Sequence, residues 1–457
     1  MIDEGNDVVR LHSVSLNREL CMGCTNCIKG CPTEAIRVRD GKAVIDENRC
    51  IDCAECIRIC PHHAKRAVTD TFPELSERHD DFPCVALIPP SLYSQFSAPA
   101  NRASILNAMS TLGFDYVYEV ALGAAASSVR TREILNETRV AEEVLKDGAE
   151  SEFPLISSAC PVVVRLIQMK YKSLIPHLIS LDAPMEITAR YAREEASKKA
   201  GVPPENIMIY FISPCPSKRS ASLNPLGQKK SDVNYVLAMH DVYPLLLNLL
   251  EKSNTGSLDA SGKADSHPLA DPTGVQWATS GGEASTLGTE KYMAVDGIHN
   301  VISILNEIEN ENLKDIEFVE PSCCFGGCIG GPLTATNPFS AKARMRSVIH
   351  KAREDHGKNP DKCLHSNALD PHIWEEPLSD NDSMRLDEDI ETALGKYDQM
   401  EKILSTLPGL DCGACGAPTC AALAEDIVQG NALETDCIIK LKEQIRKVAQ
   451  EINILKL

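Results

Sequence analysis

The sequence predicts a chain of several domains, of mixed α/β and α+β class. Three observations lead there. Two cysteine-rich units repeat near the N-terminus, at residues 20–35 and 49–64. Short apolar runs alternate with helical patterns across residues 82–351. A third cysteine unit spans residues 411–437 and is followed by a heptad pattern. At 457 residues and roughly 150 residues per domain, three domains are the prior.

Composition narrows the function classes. Hydrophobic residues make up 43% and charged residues 24%, an ordinary globular mix. A formal net charge of −19 argues against nucleic acid, whose phosphates call for clustered Lys and Arg. It argues equally against an anionic membrane surface. Residues 1–20 carry charges and lack the apolar core of a signal peptide. No apolar run reaches the roughly 18 residues of a membrane span. A cytoplasmic location is expected. There disulfides are rare, and cysteine clusters more often bind metal.

Sixteen of the nineteen cysteines fall into such clusters. Cys21, Cys24, Cys27 and Cys31 precede Pro32, and Cys50, Cys53, Cys56 and Cys60 precede Pro61. Both runs read C-x2-C-x2-C-x3-C-P. A 4Fe–4S cubane needs four thiolates converging from different directions. A CxxCxxC loop supplies three, and in two-cluster ferredoxins the last cysteine of each run serves the other cluster. Cluster one should therefore take Cys21, Cys24, Cys27 and Cys60, and cluster two Cys50, Cys53, Cys56 and Cys31. Zinc knuckles share CxxC pairs but not this twofold pattern ending in proline. Residues 20–64 resemble bacterial ferredoxins.

The middle of the chain reads as α/β. Buried strands are expected at Cys84–Ile88, Ile207–Ile212 and Ile316–Val319, and helical patterns at Val162–Leu178 and Tyr243–Leu250. Such alternation implies parallel sheets, with ligands at the loops after strand ends. Four cysteines sit at such places: Cys160 in SSACPVV, Cys215 in ISPCPSKR, and Cys324 and Cys328 in EPSCCFGGCIGGP. Gly326 and Gly327 stand where backbone would approach a ligand closely. Residues 251–274 read as a surface loop, and 355–389 as an acidic arm with three prolines.

Residues 82–351 resemble the catalytic domain of iron-only (FeFe) hydrogenases. Beyond the cysteines, the likeness rests on LGFDYVYEVALGA (Leu112–Ala124), KYKSLIPHLISLDAP (Lys170–Pro184) and WATSGGE (Trp277–Glu283). The family signatures TSCCPxW, MPCxxKxxE and MxCxxGCxxGGG map onto Cys160, Cys215, Cys324 and Cys328. The resemblance implies an H-cluster: a cubane bridged through Cys328 to a two-iron unit with CO, cyanide and dithiolate ligands. Lys218 should meet a cyanide, and Pro90 and Ser91 should line the same pocket. H2 and protons would be the substrates, with a redox or signalling protein as partner.

The sequence also departs from the family. The cysteine that passes protons in TSCCPxW is Ala159 here, and the tryptophan is Val163. The methionine and glutamate of MPCxxKxxE become Ser213 and Ala221, and the outer residues of the third signature become Ser322 and Pro332. Met185 follows Pro184 in place of glutamine. The metal-binding frame survives while the proton relay is cut twice. General acid–base transfer contributes about 10²- to 10⁴-fold in rate, so slow turnover is expected. Cys323 or Glu283 could substitute as the acid; the plainer readings are a core thiol and a solvated carboxylate. Buried thiols are also the plain reading of Cys84 and Cys363. These substitutions resemble the sensory branches of the family. The expected function is slow interconversion of H2 with protons and electrons, used for hydrogen or redox sensing in an anaerobic cytoplasm. The alternatives are a metabolic hydrogenase with a rerouted proton path, or an electron-transfer protein without the two-iron unit.

Cys412, Cys415, Cys420 and Cys437 read C-x2-C-x4-C-x16-C within LDCGACGAPTC. This resembles the single-cubane domain of corrinoid iron–sulfur proteins; a zinc site is the alternative. Ile438, Leu441, Ile445, Val448, Ile452 and Leu455 follow at spacings of three and four, a heptad seam. It would serve a homodimeric coil or pack on its own domain. The expected domains are 1–80 (two-cluster, ferredoxin-like), 81–354 (H-cluster), 355–400 (acidic arm), 401–437 (single cubane) and 438–457 (heptad helix).

Overall fold

The computed structural model describes residues 12–71, 82–98, 100–145, 153–254, 269–358 and 369–455. They divide into two compact units, Val14–Ala67 with Asp380–Leu457, and Met1–Ser13 with Val68–Ser379. Cys363 and the middle of the loop expected at 251–274 lie outside the described residues.

In the first unit the repeat is visible in the backbone. Strand β1 (Val14–Leu16) pairs antiparallel with the distant β4 (Lys65–Ala67), closing both cysteine runs between them. Hairpin β2 (Ile36–Arg39) to β3 (Lys42–Ile45) turns at Asp40-Gly41, both at positive φ, as a two-residue Asp-Gly hairpin turn requires. Each run carries a one-turn helix, Asn26–Lys29 or Glu55–Arg58, entered through a left-handed residue, Thr25 or Ala54. Val14, Ile28, Ile36, Ala43 and Ala64 make a small core with the cysteines.

The C-terminal segment of this unit differs from expectation. The stretch read as an acidic arm to residue 400 contains helix Ile390–Thr406. Its first turn is capped by Asp389, which accepts from the Thr392 backbone N–H at 2.8 Å. Its end is held by Met400, Ile403 and Leu404 packing on Leu407, Leu423 and the Cys420 thiol. Most of the acidic residues of the arm lie before this helix, in the irregular stretch 369–389. A second helix, Cys420–Val428, is capped by Thr419.

These helices dock on β2. Val38 N–H donates to the Gly416 carbonyl at 2.8 Å. Asp426 accepts from Arg37 at 2.7 Å and from Arg39 at 2.5 Å, and Glu425 pairs with Arg49. Gly416 has φ +83°, and a Cβ there would stand 2.0 Å from the Val38 carbonyl oxygen, so no other residue fits this contact. The final helix, Ile438–Leu455, is exposed at every position from Leu441 to Ile452.

The second unit is α/β with parallel sheets throughout. One sheet has the order β6-β5-β8-β9, from β5 (Cys84–Ile88), β6 (Tyr116–Glu119), β8 (Met208–Ser213) and β9 (Tyr235–Ala238). The other has the order β10-β11-β7, from β7 (Leu155–Ile156), β10 (Tyr292–Asp296) and β11 (Phe318–Ser322). Parallel strands need buried crossovers. Helices Ala121–Leu145 and Pro184–Ala200 pack on one face of the larger sheet, and Arg102–Thr111 and Met239–Asn254 belong to the core of the other. β5 is buried at every position, Cys84 included. β11 runs past the expected Val319 through Pro321, where β7 has already ended and the sheet has an edge, the position at which a strand tolerates proline. The expected helical pattern Val162–Leu178 splits. An α-helix covers Pro161–Lys170 and a 3₁₀ segment Lys172–His177, broken at Tyr171 and containing Pro176. No helix among the described residues is long and apolar enough to cross a membrane.

Candidate metal centres and active-site cavity

Two small cavities sit in the repeat. Cys21, Cys24, Cys27 and Cys60 line the first, and Cys31, Cys50, Cys53 and Cys56 line the second. Each therefore gathers three cysteines from one run and the last of the other. Backbone N–H groups of Ala43, Ala35 and Ala64 donate to the sulfurs of Cys21, Cys31 and Cys60 at 3.3–3.4 Å. Burial pushes the thiols of Cys50 and Cys53 well up, and that of Cys56 to about 12. Such thiols ionise only if a cation replaces their protons. In the C-terminal segment Cys415, Cys420 and Cys437 share one core, while Cys412 is exposed.

A cavity of about 120 Å³ opens in the second unit, room for several waters. Four strand-end loops meet there. The segment after β5 brings Pro90 and Ser91, the loop after β7 brings Cys160, that after β8 brings Cys215 and Lys218, and that after β11 brings Cys324 and Cys328. The four cysteines thus come from two sheets. Local bonds fix each loop. Ser213 Oγ donates to the Cys215 carbonyl at 2.7 Å and accepts the Cys215 N–H at 3.1 Å, rigidifying that turn. Lys218 Nζ reaches across to the Ala159 carbonyl at 3.1 Å. Gly327 lines the cavity with φ +86°, and a Cβ there would stand 2.6 Å from the Ser280 nitrogen. Gly326 stands behind it, donating its N–H to Asp296 at 3.1 Å and accepting the Ser280 N–H at its carbonyl at 3.1 Å.

The donor set fits an iron–sulfur centre with a polar ligand shell. Burial raises the thiols of Cys160, Cys215 and Cys328, Cys328 to about 12, against the pull of the Lys218 ammonium. Ser91 Oγ is buried in the cavity wall and has no partner among the described residues. An orphaned hydroxyl of that kind costs about 1–3 kcal/mol unless a bound group satisfies it.

Two carboxylates also line the cavity. Ser157 Oγ donates to Glu283 at 2.6 Å, and Glu320 accepts the N–H groups of Gly281 and Ala284 at 2.9 and 2.8 Å. Burial holds both acids above the ordinary carboxylate range, and the charge of Glu320 raises Glu283 further. Glu283 is therefore not a solvated carboxylate, because the WATSGGE turn folds it inward beneath β11. Cys323 lines the cavity rather than lying in an unrelated core. Sequence reasoning missed Glu320; its signal was an acid directly after the apolar pair Phe318–Val319. Ala159 and Met185 occupy the wall where the relay cysteine and the glutamine would stand, whereas Val163 is buried away from it.

Residues 83–290 and 263–332 match the family described as iron only hydrogenase large subunit, C-terminal domain. This chain belongs to that iron-only hydrogenase family. Residues 13–61 match a 4Fe-4S dicluster domain, and residues 407–439 a family described as a putative Fe-S cluster. Iron hydrogenase 1 of Clostridium pasteurianum is 24% identical over 419 residues, covering 78% of this hydrogenase-family chain and 70% of that protein. The cytosolic Fe-S cluster assembly factor NAR1 of Coccidioides immitis is 30% identical over 90 residues, 20% of this chain and 14% of its own. A solved [FeFe]-hydrogenase, HydA(deltaEFG), is 14% identical with a TM-score of 0.44, covering 67% of this chain and 98% of its own. The chain is an iron–sulfur protein with 4Fe–4S clusters.

Proposed function

We propose that this iron-only hydrogenase relative interconverts H2 with protons and electrons slowly, at an H-cluster, and serves as a sensor of hydrogen or redox state. The observation that carries the reading is the cavity in which four thiols, one lysine and one unpartnered serine hydroxyl converge. Cys160, Cys215, Cys324 and Cys328 would be the ligands of the centre, and Cys328 would also serve the two-iron unit. When bound, that unit supplies H2 activation, and the cubanes supply one-electron storage.

The chain's own residues do the rest. Lys218 and Ser91 would donate hydrogen bonds to the polar ligands of the bound group, and Pro90 and Gly327 shape the wall. Ala159 carries no exchangeable proton, so the family relay stops there. Glu283 and Glu320 hold a proton between them near neutral pH, with Ser157 as the adjoining hydroxyl, and take over that task. Cys21, Cys24, Cys27 and Cys60 hold one cubane, Cys31, Cys50, Cys53 and Cys56 the next, and Cys412, Cys415, Cys420 and Cys437 a third. A rerouted proton path lowers rate more than H2 affinity, which suits a sensor.

Infrared spectra of anaerobic protein supplied with the two-iron unit test the reading. CO and cyanide bands that shift on adding H2 are expected. The NAR1 likeness favours a second reading, a non-catalytic iron–sulfur protein. Protein that takes up cubanes but never shows such bands would establish it and overturn the first.

A further inference from the structure

The C-terminal cysteine segment and the N-terminal repeat belong to one compact unit, and residues 412–420 touch the repeat at two places. Gly413 lies on the one-turn helix Asn26–Lys29 that carries Cys27. A Cβ there would stand 3.1 Å from Lys29 Cε and 3.5 Å from Ile28 Cδ1. Gly416, next to Cys415, accepts the Val38 N–H at its carbonyl at 2.8 Å. Arg39 adds a bond to the Cys415 carbonyl at 3.4 Å. Gly413 and Gly416 have φ of +75° and +83°, so the cysteine loop comes as near to the repeat as bare backbone allows.

Both contacts lead to the same cavity. Cys27 is one of the four cysteines that line the first one, and Val38 stands in its wall. The second cavity has Ile36 and Ile45 in its wall. The C-terminal segment also reaches Arg49, beside Cys50, through Glu425. That ion pair sits more than a helical turn past Cys420 and involves no residue of the cysteine loop. At the other side of the contact the C-terminal thiols converge. Cys415, Cys420 and Cys437 share a core, and burial raises the Cys415 thiol, with the charges of Cys437 and Cys412 raising it further.

We propose that Gly416 and Val38 form an electron bridge between the cubane of the C-terminal cysteines and the one held by Cys21, Cys24, Cys27 and Cys60. It rests on the cysteine assignments made above, and not on the two-iron unit. The route from Cys415 is covalent except for a single hydrogen bond. One electron crosses at a time: the donor cubane is oxidised by one electron, the acceptor is reduced by one, and no bond or proton moves. Because Cys27 and Cys56 share the small core of the repeat, the order is second cubane, first cubane, C-terminal cubane. The C-terminal centre, with its exposed Cys412, is the end of that series.

Electron paramagnetic resonance of the fully reduced chain, loaded with cubanes but not with the two-iron unit, tests this. The C-terminal signal is the one lost in Cys415→Ala, and spin coupling should split it in the parent. Cys24→Ala removes a ligand of the first cubane and should abolish the splitting. Cys53→Ala removes a ligand of the second and should leave it. Gly416→Ala, which drives the loop off β2, and Asp426→Ala, which lies outside the loop, should both weaken it. Full iron content with an unsplit C-terminal signal overturns the bridge alone, as does a splitting that survives Cys24→Ala or is unmoved by both Gly416→Ala and Asp426→Ala. Iron content unchanged in Cys415→Ala overturns the cysteine assignment, and the bridge with it.

Discussion

Ser157 donates its hydroxyl to Glu283 at 2.6 Å, tying the loop that bears Cys160 to an acid buried in the cavity wall. Glu283 titrates as one of a pair with Glu320. If this pair is the proton reservoir, Glu283→Gln keeps the Ser157 bond but removes the exchangeable proton. Turnover should fall about 10²- to 10⁴-fold, while infrared bands of the loaded protein stay in place. An unchanged rate would show that protons travel elsewhere.

Stability should fall as pH rises toward neutrality. Glu186 is buried, accepts from Ser231 Oγ at 2.6 Å and from the Asp232 N–H at 2.9 Å, and burial pushes it up to about 7. The folded state thus binds this proton more tightly than the unfolded chain. Its contribution is complete below the ordinary carboxylate range, declines as pH rises, and levels off above about pH 7. The decline amounts to as much as about 3 kcal/mol from this group. Thermal unfolding of Glu186→Gln between about pH 5 and pH 8 should show a flatter profile than the parent; an identical slope would contradict the assignment.

Removing the orphaned hydroxyl of Ser91 should cost the metal-free protein nothing. Ser91→Ala deletes a buried polar atom that has no partner, a change that is neutral or stabilising. In the loaded protein the same substitution should move a cyanide band. A melting temperature that falls in the metal-free variant would mean that Ser91 has a structural role instead.

Asp426→Ala should loosen the C-terminal segment from β2. The carboxylate accepts from both Arg37 and Arg39. Breaking a fully buried pair costs about 3–5 kcal/mol. With Arg39 partly exposed, about 2–3 kcal/mol is expected, read as a drop in the denaturant midpoint. A midpoint within error of the parent would show that the Val38–Gly416 contact and the Arg49–Glu425 pair carry the docking without it.

Local patterns made much of this legible in the sequence. The repeated cysteine runs and the apolar run of β5 are set by neighbours close in sequence, and the structure reproduces them. Ends of elements were less legible. β11 extends through Pro321 because β7 is too short to need a donor there, and the length of a neighbouring strand is not written in the segment itself. Helix Ile390–Thr406 was hidden by the acidic, irregular segment that precedes it. In the cavity the cysteines announced themselves by context. Glu320 did not, because a single acid in an apolar run becomes informative only once its burial is known. The orphaned Ser91 hydroxyl is likewise a property of packing.

The central cysteines do not belong to one sheet. Cys160, Cys324 and Cys328 extend from the three-stranded sheet, and Cys215 and Lys218 from the four-stranded one. A centre held by all four thiols is therefore a rivet between two halves of the unit. Iron loading should report on architecture as well as chemistry: without metal each half retains its own core, while the seam between them loses its fastening. Anything that strips the iron, oxygen included, would then switch off the site and slacken the hinge in the same event.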